Sequence, residues 1–224
     1  MTPEPPDYPL GKLAGDGMAK GRLEALTDGI IAVAMTLLVL DIKLDVREQI
    51  STDSHLIRHL LDVERTFTVY LVSFVVLGMY WVSHTLQFHY VRRVDRGLLW
   101  ISIIFSLLIT LVPFTTNVMI SFESLFVPVI LYGSNQLLLS LVLVANVTYL
   151  ARHPQLAEDT LTPEVAAFIR RRLMLFAMIP LASIAIAYFN TRAALNLYFL
   201  MAILHFFPRT IDRRIRGWFS KTRD

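Results

Sequence analysis

The chain has 224 residues, 55% of them hydrophobic and 17% charged, with a mean hydropathy of +0.55 and a formal charge of +3. Soluble domains carry about 25% charged residues, so the composition excludes an ordinary soluble fold and indicates an integral membrane protein. With no cysteine, a disulfide framework, a thiolate nucleophile and a Cys-ligated metal are excluded as well.

Residues 1–17, with three prolines before Asp7, read as a polar lead-in and bear no resemblance to a cleaved signal peptide. Crossing ~30 Å of hydrocarbon takes about 20 mostly apolar residues. Six such runs are expected, at 20–42, 66–90, 98–119, 125–150, 173–189 and 193–207. A mixed-charge connector, 43–65, separates the first two. Pro113 is expected to bend or end the third span, because proline removes a ladder donor and crowds the preceding turn. Pro163 followed by Glu164 marks a helix start, and Pro208 closes the sixth span. The predicted fold is therefore an all-α membrane protein: a lead-in over 1–17, a six-helix domain over 18–208 and a basic tail over 209–224.

Orientation follows from the basic residues. Of the 21 Lys and Arg, all but Lys43, Arg47, Arg58, Arg65 and Arg192 fall on the termini and even-numbered connections. Cytoplasmic segments attract Lys and Arg, so both termini are expected inside. Arg213, Arg214 and Arg216 beside Trp218 suit anionic lipid headgroups, and the charges are too few for nucleic-acid binding. Arg170 to Arg172 read as a topology anchor at the inner mouth of the fifth span.

The first span, RLEALTDGIIAVAMTLLVLDI over 22–42, sets an aspartate and two threonines in an apolar run. An intramembrane carboxylate is costly, so Asp28 marks a functional site or a structural network. Two readings stand: an ion pathway narrowing to an apolar neck, or an Arg22–Asp28 lock that fixes the helix and conducts nothing. At about 100° per residue, Gly29, Ala32 and Thr36 share a small-residue face. Val33, Leu37 and Leu40 form a neighbouring apolar stripe. Periodicity alone does not separate a lipid face, a packing face and a pore face.

Other candidates are sparse. His84, three residues after Trp81, is read as an interhelical hydrogen-bonding group, since a metal site needs several ligands; no metal is expected. Asn135, Gln136, Asn146 and Thr148 are polar positions suited to bonds between helices. No phosphate loop or nucleophile-and-base pair is visible, so no enzyme activity is expected.

The run Arg22-x-x-x-Leu26-Thr27-Asp28-Gly29, continuing through Ala32 to Thr36-Leu37-Leu38, resembles the first-helix signature of the transmembrane-protein-175 potassium channel family. Tyr80-Trp81-x-x-His84 and Val112-Pro113-Phe114 add to the likeness. In two places the chain departs from the signature, with Leu26 where the family has Phe and Thr27 where it has Ser. The resemblance implies a prokaryotic homotetramer in the cell membrane, with first helices forming the pore around the symmetry axis. It implies potassium as the permeant ion and no cofactor. By position, Val33, Leu37 and Leu40 match the apolar residues that constrict and gate such a pore, and Thr36 matches a threonine tied to selectivity. Arg22, Thr27, Asp28, Trp81 and His84 then become a network holding the pore helix. A secondary transporter and a non-conducting scaffold are the alternatives; a transporter should show internal repeats and broken helices, and no convincing repeat is visible.

Overall fold

In lipid, backbone amides find no water, so a spanning chain bonds them within helices. The computed structural model describes residues 17–42, 52–54, 56–57, 64–122, 125–191, 193–194 and 197–198 and is all-helical over them. Helix α1 runs Gly17–Leu37 and tightens into a 3₁₀ turn, Leu38–Asp41. Then come α2 (Glu64–Phe88), α3 (Arg96–Ser121), α4 (Phe126–Arg152), a 3₁₀ turn at Pro154–Leu156, and α5 (Pro163–Ala187). Among the described residues, α1 to α4 are each long and apolar enough to cross a membrane. The lead-in, the basic tail, most of the 43–65 connector and most of the expected 193–207 span lie outside the described residues.

One expectation is corrected: Pro113 does not end α3, which runs on to Ser121. Side chains bond the backbone around the proline: Val112 O accepts from the Thr115 hydroxyl at 3.0 Å, and Asn135 of α4 donates to Leu108 O at 3.3 Å. Helix α5 starts at Pro163, as the Pro163-Glu164 pair predicts, and the Arg170–Arg172 run lies inside it. Thr162 caps it by accepting from Val165 N at 3.3 Å, and hydropathy does not register a polar opening of this kind.

Helix α4 is the centre, with 56% of its most apolar window buried against 28% for α1. It packs mainly on α5 and α3, while α1 lies against α3 and α2. Buried hydroxyls and amides stitch the apolar interior: Tyr80 Oη donates to Gln136 O at 2.8 Å and lies 3.0 Å from Ser140 Oγ. Thr116 bonds Ser73 at 3.1 Å, and Asn146 Nδ2 donates to Gln87 Oε1 at 2.9 Å.

The start of α1, the α2–α3 turn and the α4–α5 link meet at one end. Lys20 Nζ donates to Val91 O at 2.7 Å, and Arg92 N donates to Leu156 O at 2.8 Å. The Arg92 guanidinium reaches Asp159 at 2.8 Å. Asp95 caps α3 with one carboxylate oxygen and accepts from Tyr149 Oη at 2.6 Å with the other. Gly97 makes this possible, because a Cβ there would fall on the Tyr149 ring.

Candidate functional site

Packing divides α1 lengthwise. Leu23, Thr27, Ile31, Ala34 and Leu38 are buried, which fixes the helix's rotation against α2 and α3. The opposite side is open: Val33 is 57% exposed, Leu37 44% and Leu40 66%, with Gly29, Ala32 and Thr36 exposed beside them. At 3.6 residues per turn, Arg22, Gly29, Val33, Thr36 and Leu40 share a sector roughly 60° wide. The small-residue face therefore packs on no other described helix of its own chain.

Both threonines bond back into their own helix. Thr27 Oγ1 is buried and donates to Leu23 O at 2.9 Å. Thr36 Oγ1 is exposed and donates to Val33 O at 2.8 Å. With its one proton used there, the Thr36 hydroxyl offers only lone pairs outward, which suits a cation.

The remaining signature residues are brought together in part. Trp81 Nε1 donates to Asp28 Oδ1 at 2.9 Å, tying α1 to α2. Arg22 is exposed and makes no bond to Asp28; six residues of helix put the two about 120° apart around the axis, so the lock expected within one chain does not form. His84 is buried and stacked between Phe88, with centroids 4.3 Å apart, and Phe105, at 4.7 Å. Its Nε2 has no hydrogen-bond partner among the described residues. No group of three or more His, Asp or Glu able to hold a metal occurs among them either. Sequence reasoning missed the Asp95–Tyr149–Gly97 arrangement, although Asp95 directly before a predicted span is itself a capping signal.

One helix encloses nothing. An outward face of small and apolar groups becomes the wall of a path only when several copies turn that face toward a common axis.

The family model described as "Endosomal/lysosomal potassium channel TMEM175" matches residues 22–113, from Arg22 through α2 into α3. The crystal structure of a lysosomal potassium-selective channel TMEM175 homolog from Chamaesiphon minutus shares the fold. The TM-score is 0.72 at 26% identity, over 84% of this chain and 96% of that one. From Arg22 into α3, this chain is similar to the TMEM175 family. Among TMEM175 relatives, it is 38% identical to a Streptomyces collinus protein named a potassium channel, over 97 residues. That alignment spans 43% of this chain and 45% of the relative, so it covers under half of either. A Chryseobacterium protein with the same kind of name is 27% identical over 198 residues, 88% of this chain and 96% of that one. The TMEM175 match begins at Arg22 and holds every signature residue of α1 and α2.

Proposed function

We propose that the chain is a potassium channel, weakly selective over sodium, that works as a homotetramer in a prokaryotic plasma membrane. The full protomer in this reading has six spans and both termini in the cytosol, with its basic segments on anionic headgroups. The observation that carries it is the outward sector of α1. A helix side made only for lipid has no use for Gly29 and an exposed Thr36 set between Val33 and Leu40, whereas a narrow shared axis does.

In this reading Val33, Leu37 and Leu40 of four copies form stacked apolar rings that close by dewetting and favour the ion with the lower dehydration cost, potassium over sodium. Thr36 lies between rings, its lone pairs toward the path. Asp28 and Trp81 hold the pore helix and bind no ion; Thr27 stiffens its first turns, and Arg22 and His84 line its polar entry and its support. Names of relatives as potassium channels favour this over a transporter or a scaffold.

Passive flux from liposomes holding purified protein tests it. A channel passes potassium down its gradient faster than sodium; coupled exchange alone indicates a transporter, and no flux indicates a scaffold. Val33 is smaller than the Ile or Leu usual at the first ring, so Val33→Leu should lower open probability and sharpen selectivity. An unchanged permeability ratio and open probability would remove Val33 from the constriction.

A further inference from the structure

Away from the outward face of α1, a groove opens between α2 and α5. Leu86 and Gln87 of α2 and Phe168, Arg172, Leu173 and Phe176 of α5 line a cleft of about 80 Å³. Pockets for drug-sized molecules start at roughly 300 Å³, so this one suits a length of hydrocarbon chain or a small head group.

Its polar groups narrow the choice. The Arg172 guanidinium lies 5.8 Å from the centre of the Phe176 ring, and among the described residues no carboxylate pairs with it. Gln87 is buried, and its Oε1 accepts from Asn146, which turns Nε2 away. That Nε2 has no hydrogen-bond partner among the described residues. A cation without a counter-charge and a buried donor without an acceptor call for the same thing, an anion with several acceptor oxygens. Their depth agrees. Gln87 lies one residue from the end of α2, beside the basic turn, and Arg172 comes just before the apolar part of α5. Both thus lie where hydrocarbon gives way to head groups. Leu86, 58% exposed, continues the wall outward.

We propose that this groove is a binding site for an anionic phospholipid. The phosphate sits on Arg172 and the Gln87 amide, and the first part of an acyl chain lies along Leu86, Leu173 and Phe176. A second copy of the chain is the poorer occupant, because the only carboxylates in the four apolar spans are Glu24 and Asp28, and Asp28 is already held by Trp81. The site does not depend on what the protein conducts.

Native mass spectrometry of the full chain, purified with added phosphatidylglycerol or phosphatidylcholine of equal chain length, is the test. Wild type should retain phosphatidylglycerol preferentially. Arg172→Gln should lower that retention about tenfold, the loss of one charge-assisted contact. Arg170→Gln, which removes the same charge from an exposed position, should leave it nearly unchanged. Leu86→Trp should lower it by filling the groove, and Arg172→Lys should give an intermediate value. Equal losses in Arg170→Gln and Arg172→Gln would overturn the site in favour of diffuse attraction. So would unchanged retention in Leu86→Trp, displacement of the lipid by inorganic phosphate, or loss of the oligomer in Leu86→Trp, which would put a neighbouring copy in the groove. Should Arg172→Gln fail to fold, Leu86→Trp decides alone, since that side chain is mostly exposed.

Discussion

At one end of the bundle, Lys20, Val91, Arg92, Asp95 and Tyr149 are joined to the α1 start and the α4–α5 link by bonds within a single chain. In the far half of α1, Val33, Leu37 and Leu40 face outward, and the one polar group among them, Thr36, bonds only to its own helix. The first region is complete in one protomer. The second is not, and becomes meaningful with lipid or with other copies. Changes at the charged end should therefore act on folding, and changes along the outward face on conduction with folding intact.

The largest effect that would break this division is expected at Gly97. A Gly97→Val side chain meets the Tyr149 ring and displaces it from Asp95, costing about 3 kcal/mol as overpacking plus a lost bond. Thermal unfolding in detergent should show a large drop, and flux should fall only with the folded fraction. Next comes Leu37→Ala. By widening the apolar neck it should raise basal potassium flux about tenfold, a barrier lowered by ~1.4 kcal/mol, with an unchanged melting temperature. A melting drop without a flux change would place Leu37 in packing.

Smaller effects sharpen the contrast. Tyr80→Phe removes the bonds to Gln136 O and Ser140 and should cost about 1 kcal/mol, typical of bonds between membrane helices, seen as a modest melting shift with selectivity intact. The smallest concerns Glu164 in the first turn of α5. Its own backbone N–H, and then the Thr162 hydroxyl, hold its carboxyl below the ordinary carboxylate value. A depressed value stabilises the fold at neutral pH, and that contribution is lost as pH falls below about 4.3 through the lowered value. Glu164→Gln should lower the melting temperature slightly at neutral pH, leave it unchanged in acid where the carboxyl is already protonated, and so flatten the acid limb.

The sequence was most readable where chemistry is local. Apolar run length located α1 to α4 to within a few residues, and Pro163-Glu164 announced the start of α5. A stop at Pro113, one of the two effects expected there, does not occur, since α3 runs on to Ser121; apolar run length also leaves out 163–172, where Glu164 and three arginines lower the hydropathy of a segment that is helical. Asp28, Trp81 and Thr36 were legible as unusual residues in an apolar run. That Asp28 would bond Trp81 and leave Arg22 apart follows from how α1 lies on α2, a tertiary fact without a local signature. Nor does periodicity distinguish the buried Leu23–Leu38 side from the outward Val33–Leu40 side, since both are apolar. Only packing separates them.

The absence of native cysteine makes one measurement direct. Single cysteines at Val33, Thr36 and Leu40, and at the exposed Leu107 of α3 as a lipid-facing control, can be treated with a charged, water-soluble thiol reagent while potassium flux is recorded. If the outward face of α1 lines the ion path, the three α1 positions lose flux on modification and Leu107→Cys keeps it. Equal insensitivity at all four, or block at Leu107→Cys alone, would contradict a path along this face.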